Sequence, residues 1–252
     1  MPVHPVPAGA VPAALAALSV LALVGCSGGS ADAGARGGPE QPADRKPPTV
    51  QANRPALPAE LPGLGPETAA EVPEDSRQVL IATGEGRDSA ESTVVLHERT
   101  DEGWRAGEEW PAHNGHRGWT HDHRAGDLRT PIGVFALSDA GGLLPDPGSR
   151  LPYDRSDAFT IDGTGFEGDP LAGSFDYVVA IDYNRTPGVT PLDWTRPEGA
   201  DRGGGIWLHV DHDGPTQGCV SLAAPVMREV VRTLDPERDP VIVMGDRESL
   251  AR

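Results

Sequence analysis

The chain has 252 residues, with 38 acidic side chains against 21 Lys and Arg and a formal charge of −17 at pH 7. No basic patch or run stands out, which disfavours nucleic-acid binding, since that rests on Lys and Arg neutralising phosphates. The acidic balance instead attracts a cationic or amine-bearing substrate, weakly at physiological salt.

Residues 1–25 carry no Asp, Glu, Lys or Arg and contain the apolar run VPAALAALSVLALVG. A membrane-spanning helix needs about 20 apolar residues, so the run suits the core of a secretory signal instead. The next residue is Cys26, and LVGC at 23–26 resembles a bacterial lipobox. This implies lipidation of Cys26 and attachment to the outer face of the cell membrane. Residues 27–74 are rich in Gly, Ala, Pro and charge and show no apolar periodicity. Such a segment has little to bury against its ordering entropy, so residues 26–74 are expected to form a disordered tether behind the lipidated cysteine.

Residues 75–252 are long enough to bury a core as one domain. QVLIAT (78–83) and STVVLHER (92–99) read as strands, the second turning at DEGW into a partner through Trp104. GVFALS (133–138), YVVAID (177–182), GIWLHV (205–210) and PVIVMG (240–245) have the same length and β-branched content. In APVMREVVRTLDP, Met227, Val230, Val231 and Leu234 fall at helical spacing, with Pro225 in the first turn and Pro236 past the end. The domain is therefore expected to be mostly β with one or two helices. Stretches 111–131, 139–176 and 184–204 read as long loops, and loops of that length often carry binding function.

Two cysteines occur in the chain, and with Cys26 assigned to the anchor Cys219 has no partner in its domain. Three fates are open to it. A metal site draws support from His209, Asp211, His212 and Asp213 and from the histidines at 113, 116, 121 and 123. The zincin spacing is absent, however, and His212 would face away from His209 if the strand continued. The stretch 113–123 reads as a polar loop, one histidine of which has room to line a cleft. An inert buried thiol is the ordinary fate of a lone cysteine. The third fate is a nucleophile: Cys219 lies in TQGCVSL, where Gly218 lets the chain turn sharply and a helix follows close by. An imidazole or a helix N-terminus beside a thiol lowers its pKa, and His209 at a strand end is a rigid place for a base. His212, in the Asp-Gly-Pro loop, is the less ordered candidate. The Gly run 203–205 leads into a strand and lacks the order of a nucleotide loop, so it reads as a turn.

IWLHV followed by TQGCVSL resembles the signature of the L,D-transpeptidase catalytic domain (YkuD-like) family: a His at a strand end, a loop, then Ser/Thr-x-Gly-Cys and an apolar residue. HRAGDLRTPIGVFAL (123–137) is similar to the family's Gly-Asp…Thr-Pro-x-Gly-x-Phe stretch, and DYVVAIDYNR resembles its strand and substrate-side loop. The resemblance implies a β-sandwich-like domain and a cysteine-dependent acyltransfer on peptidoglycan stem peptides. Cys219 would be nucleophile and His209 general base, with no metal or cofactor, and the backbone at Gln217, Gly218 and Cys219 would hold the oxyanion. Thr216, Ser221, Asn184 and Arg185 would lie on the substrate side, and carbapenem-type β-lactams would be covalent inhibitors. The family cleaves a tetrapeptide stem before its terminal D-alanine and passes the acyl group to an amine of a neighbouring stem. With water as acceptor the same chemistry gives a carboxypeptidase or amidase, and with a degenerate site the chain would be an envelope-tethered binding protein. Three departures stand out. His209 and Cys219 are closer together than is usual, Val210 stands where Gly or Ser is common, and Ser221 where Arg or Asn often helps to position substrate.

Overall fold

The computed structural model describes residues 56–252. The signal segment, Cys26 and residues 27–55 of the expected tether lie outside the described residues.

Residues 57–74, assigned to the tether by composition, belong to the folded domain. The carbonyl of Pro58 accepts from the Trp104 N–H at 2.8 Å, and the N–H groups of Gly65 and Glu67 donate to the carbonyls of Leu250 and Arg252. A short helix, α1 (Pro66–Glu71), starts on a proline, where no amide donor is lost. Leu61, Leu64 and Val72 complete a small apolar cluster with Val79, Ile81, Trp104, Val241, Val243 and Leu250. Three apolar side chains spread among prolines give no period to read, yet they suffice to cover one face of a strand pair.

The first strands are β1 (Gln78–Gly84), β2 (Glu91–Thr100) and β3 (Gly103–His113), an antiparallel meander through the expected hairpin. The register slips between Val95 and His97. That bulge buries both Leu96 and His97, which strict alternation would send to opposite faces. Two short strands, β4 (Trp119–Thr120) and β5 (Thr130–Pro131), pair in parallel within the stretch read as the loop 111–131. β6 (Gly133–Ala136) follows, then β7 (Ala140–Gly142) and β8 (Tyr153–Arg155), two further strands inside the stretch read as the loop 139–176. Apart from β6, read from GVFALS, these are too short for a period-2 signal. β9 (Val178–Ala180), β10 (Trp207–Val210), β11 (Val220–Leu222), helix α2 (Ala224–Thr233), β12 (Val241–Asp246) and helix α3 (Arg247–Leu250) complete the chain.

Ten strands form one mixed sheet in the order β6-β12-β1-β2-β3-β11-β10-β9-β7-β8. The chain passes from β6 at one edge to β7 near the other through only residues 137–139, so the sheet must curl on itself. Hydrogen bonds from Asp182 N–H to the Ala136 carbonyl (3.0 Å) and from Ala180 N–H to the Asp139 carbonyl (2.8 Å) draw its ends together. The layered, mostly-β architecture expected from the sequence thus arises from one curled sheet. Its inner face meets α2 in a single core, where Met227, Val230, Val231 and Leu234 pack with Leu80, Val94, Leu208, Val220 and Ile242.

Candidate active site

Two adjacent strand ends build the site. β10 and β11 run in parallel with Leu208 abreast of Val220, His209 of Ser221 and Val210 of Leu222. Leu208, Val210, Val220 and Leu222 face the main core. By alternation Trp207 and His209 point to the opposite face, and Cys219, one step before β11, shares it beside Trp207. Phe175, Phe159 and Leu192 cover this second face and form a smaller apolar cluster with Trp207 and Cys219.

The turn before Cys219 is held by one side chain. Thr216 Oγ1 donates to the Cys219 carbonyl at 2.7 Å and accepts from the Gly218 N–H at 3.1 Å. Gly218 has φ 149°, and a Cβ there would meet the Arg129 carbonyl oxygen at 3.0 Å. Both facts call for glycine. The strand β11 follows Cys219 directly, so the helix expected near the thiol begins only at residue 224 and places no N-terminus on the sulfur. Trp207 N–H approaches Sγ at 3.4 Å, and the Gly205 carbonyl lies 3.6 Å from it. Burial pushes the thiol up to about 11, with the Trp207 N–H pulling weakly the other way. Cys219 at rest is therefore a neutral thiol, where proximity to an imidazole or a helix end had pointed to a thiolate.

His209 is 3% exposed and held on three sides. Its Nδ1 lies 2.8 Å from the Val210 carbonyl, and because a carbonyl only accepts, Nδ1 carries the proton and Nε2 the lone pair. Phe175 packs edge-on at 5.6 Å, and His212 stacks in parallel at 5.8 Å. Burial lowers the pKa of His209 to about 4. His212 does not face away, because β10 ends at Val210 and the chain bends. It pairs through Nδ1 with the buried Asp169 carboxylate and joins His209 in lining the cleft. Behind them, Asp211 accepts from Ser221 Oγ at 2.6 Å and from His113 Nδ1 at 2.8 Å. Burial opposes its charge, but these bonds outweigh it and hold the carboxyl down at about 2. This half-buried network ties the ends of β3, β10 and β11 together beside the site.

A cleft of about 1020 Å³ opens over Cys219. His209, His212, Thr216, Gln217, Gly218 and Cys219 line it, and His123 is the histidine of the 113–123 stretch that reaches it. Three expected substrate-side residues lie elsewhere. Ser221 is fully buried against Asp211. Asn184 donates to the Gly199 and Gly203 carbonyls and accepts from Glu198 N–H, bracing one cleft wall from behind. Arg185 is buried between Asp139 and Asp182, where it fastens the two ends of the curled sheet. Phe166, Trp194 and Arg196 line the cleft and carried no motif in the sequence. Among the described residues no three His, Cys, Asp or Glu side chains are grouped to hold a metal ion.

The family model described as L,D-transpeptidase catalytic domain (YkuD) matches residues 92–243. No curated protein matches. Among solved structures, that of Bdellovibrio bacteriovorus Bd1075 matches at 20% identity with a TM-score of 0.37, covering 74% of this chain and 52% of that one. The chain thus spans about half the length of that structure. Because this family model spans more than half of its residues, the chain belongs to the L,D-transpeptidase catalytic domain family.

Proposed function

We propose that the protein forms a thioester between Cys219 and a peptidoglycan stem peptide and transfers the acyl group to an amine of a second stem. The observation that carries this reading is a free thiol and a neutral imidazole of fixed tautomer that line one cleft of about 1020 Å³ from adjacent strand ends. Sγ attacks the scissile carbonyl carbon while the thiol proton passes to His209 Nε2. The tetrahedral oxyanion is held by backbone N–H groups; that of Gly218 is taken by Thr216, which leaves those of Cys219 and Gln217. The C–N bond then breaks, and His209 returns the proton to the departing D-alanine amine. An incoming amine attacks the thioester, loses its proton to His209 and expels the sulfur, which regains that proton. Atoms and charge balance without metal or cofactor.

A carbapenem-type β-lactam reports the first half-reaction directly. Intact-mass measurement is expected to show one adduct, mapped to Cys219. Purified stem peptides should then give crosslinked product, whereas release of free tripeptide alone would assign a hydrolase with the same thioester. No adduct and no peptide turnover would sink the reading and leave a non-catalytic binding protein.

The lipid anchor on Cys26 completes the proposal and places the domain at the outer face of the membrane. One acyl chain binds membranes marginally, whereas two or more hold stably, and a lipobox cysteine carries a diacylglycerol. Attachment should therefore survive a salt wash, and Cys26→Ala should release the protein into the soluble fraction. A Cys26→Ala protein still firmly bound would mean another kind of anchor.

A further inference from the structure

The charge of the cleft runs against the charge of the protein. The chain carries 38 acids, yet among the described residues no Asp or Glu lines the cleft and Arg196 is its one fixed cation. Seven other contacts between Arg and carboxylate occur among the described residues, but Arg196 makes none of them. Its Nη1 donates to the carbonyls of Asp193 (3.2 Å) and Thr195 (2.9 Å), which fixes the guanidinium and leaves Nε and Nη2 without partners among the described residues. Trp194, 75% exposed at the rim, lies against the guanidinium at 5.0 Å.

Arg196 also packs against Gly204 and Gly205 of the glycine run 203–205. A Cβ built on Gly204 would fall 2.3 Å from Arg196 Nε, and one on Gly205 would fall 3.3 Å from Nη2. All three glycines have positive φ, from 69° to 141°. Glycine is thus needed here both for the backbone and for the space that the arginine fills. Gly205 is also the residue whose carbonyl lies 3.6 Å from Cys219 Sγ. Gly205 thus adjoins both the Arg196 guanidinium and the reacting sulfur. A residue joined to the scissile carbonyl carries its own carboxylate within about one residue's length, ~3.5 Å, of the attacked bond. Guanidinium donors in a fixed fork match a carboxylate in two parallel bonds.

We propose that Arg196, braced by Trp194, Gly204 and Gly205, binds a carboxylate of the acyl donor and sets which peptide bond meets Cys219. This rests on the thioester reading above. It also gives a physical reason why Ser221 can be buried: the substrate-positioning charge comes from the 184–204 segment, on the other side of the sulfur. The carboxylate nearest the scissile bond is that of the leaving residue, with an internal carboxylate of the stem as the other source.

The test separates source, residue and reading. The Cys219→Ser protein, which binds without turnover, is titrated calorimetrically with three tetrapeptide stems: the free acid, the C-terminal amide, and one amidated at its internal carboxyl. The free acid is expected to bind about 10- to 100-fold tighter than the C-terminal amide, as the loss of a charge-assisted bidentate pair predicts. Adding Arg196→Gln should abolish that preference, and Arg196→Lys should restore part of it. A preference lost only with internal amidation would move the contact to the internal carboxylate. Equal binding of all three peptides, no binding, or an acid preference that survives Arg196→Gln would overturn the proposal. In the protein that keeps Cys219, Arg196→Gln should raise KM more than it lowers kcat. If the binding preference is found but no thioester forms with Cys219 present, the assignment of Arg196 stands and the catalytic reading fails.

Discussion

Cys219→Ser lowers peptide turnover by at least about 10³-fold while the purified protein stays folded. The fold should survive because the side chain is a half-buried acceptor for one N–H, that of Trp207, and a hydroxyl fills the same place with the same bonding capacity. The main core beneath β10 and β11 is untouched, since Leu208 and Val220, not Cys219, face it. Chemistry fails because a serine hydroxyl has a much higher pKa than a thiol, and the weakly basic His209 cannot draw its proton away comparably. A thermal melt within a few degrees of wild type together with loss of carbapenem adduct and turnover is the expected pair of results. Near-normal turnover by the mutant would end the thiol mechanism.

How far the sequence foretold this site follows from the range of the forces involved. The long strands and α2 announce themselves because burial of one face repeats at a fixed period, and Met227, Val230, Val231 and Leu234 are all in the core. His209 and Cys219 could be singled out because their chemistry is rare in its setting. The three-residue strands β7, β8 and β11 could not be read, because their places are set by sheet partners far away in the chain. The same holds for residues 57–74, whose few apolar side chains gain a partner only when β1, β12 and α3 come together. Asn184 and Arg185 lie in the right stretch but hold structure, whereas Arg196, eleven residues on, faces the cleft. A sequence shows that a charge exists, and only packing shows whether it is already paired.

His209→Ala is expected to slow acylation of Cys219 by stem peptide by about 10²- to 10⁴-fold at neutral pH, the usual worth of a positioned base, while His212→Ala costs less than about 10-fold. The two rings lie only 5.8 Å apart, so proximity to the cleft does not decide between them. Place and attachment do. His209 is fixed on β10 abreast of the strand that Cys219 opens, whereas the ring of His212 is tied to Asp169 in a neighbouring loop. The free enzyme should be active with the thiol and His209 both neutral, so kcat/KM should fall on the acid side near pH 4 and on the alkaline side near pH 11. A preformed thiolate–imidazolium pair requires the opposite order of affinities. Alkylation by iodoacetamide tells the two apart, because that reagent needs the thiolate and no base. Its rate should climb with pH through the neutral range without a plateau and should change little in His209→Ala. The stability of the protein carries the same signature. An unfolded histidine takes its proton near pH 6.5, whereas folded His209 resists until about pH 4, so between these values the unfolded chain binds more protons. The contribution of this residue is complete above pH 6.5 and is lost as pH falls through 4, by about 3 kcal/mol, the difference of the two values at about 1.4 kcal/mol for each pH unit. Denaturant melts of wild type and His209→Gln between pH 4 and 7 measure it: wild type should lose more stability over that window than the mutant. A smaller loss in wild type than in the mutant, or a plateau of alkylation at neutral pH that disappears in His209→Ala, would show that the resting site is an ion pair, and equal losses would show that burial does not lower the affinity of His209 for its proton.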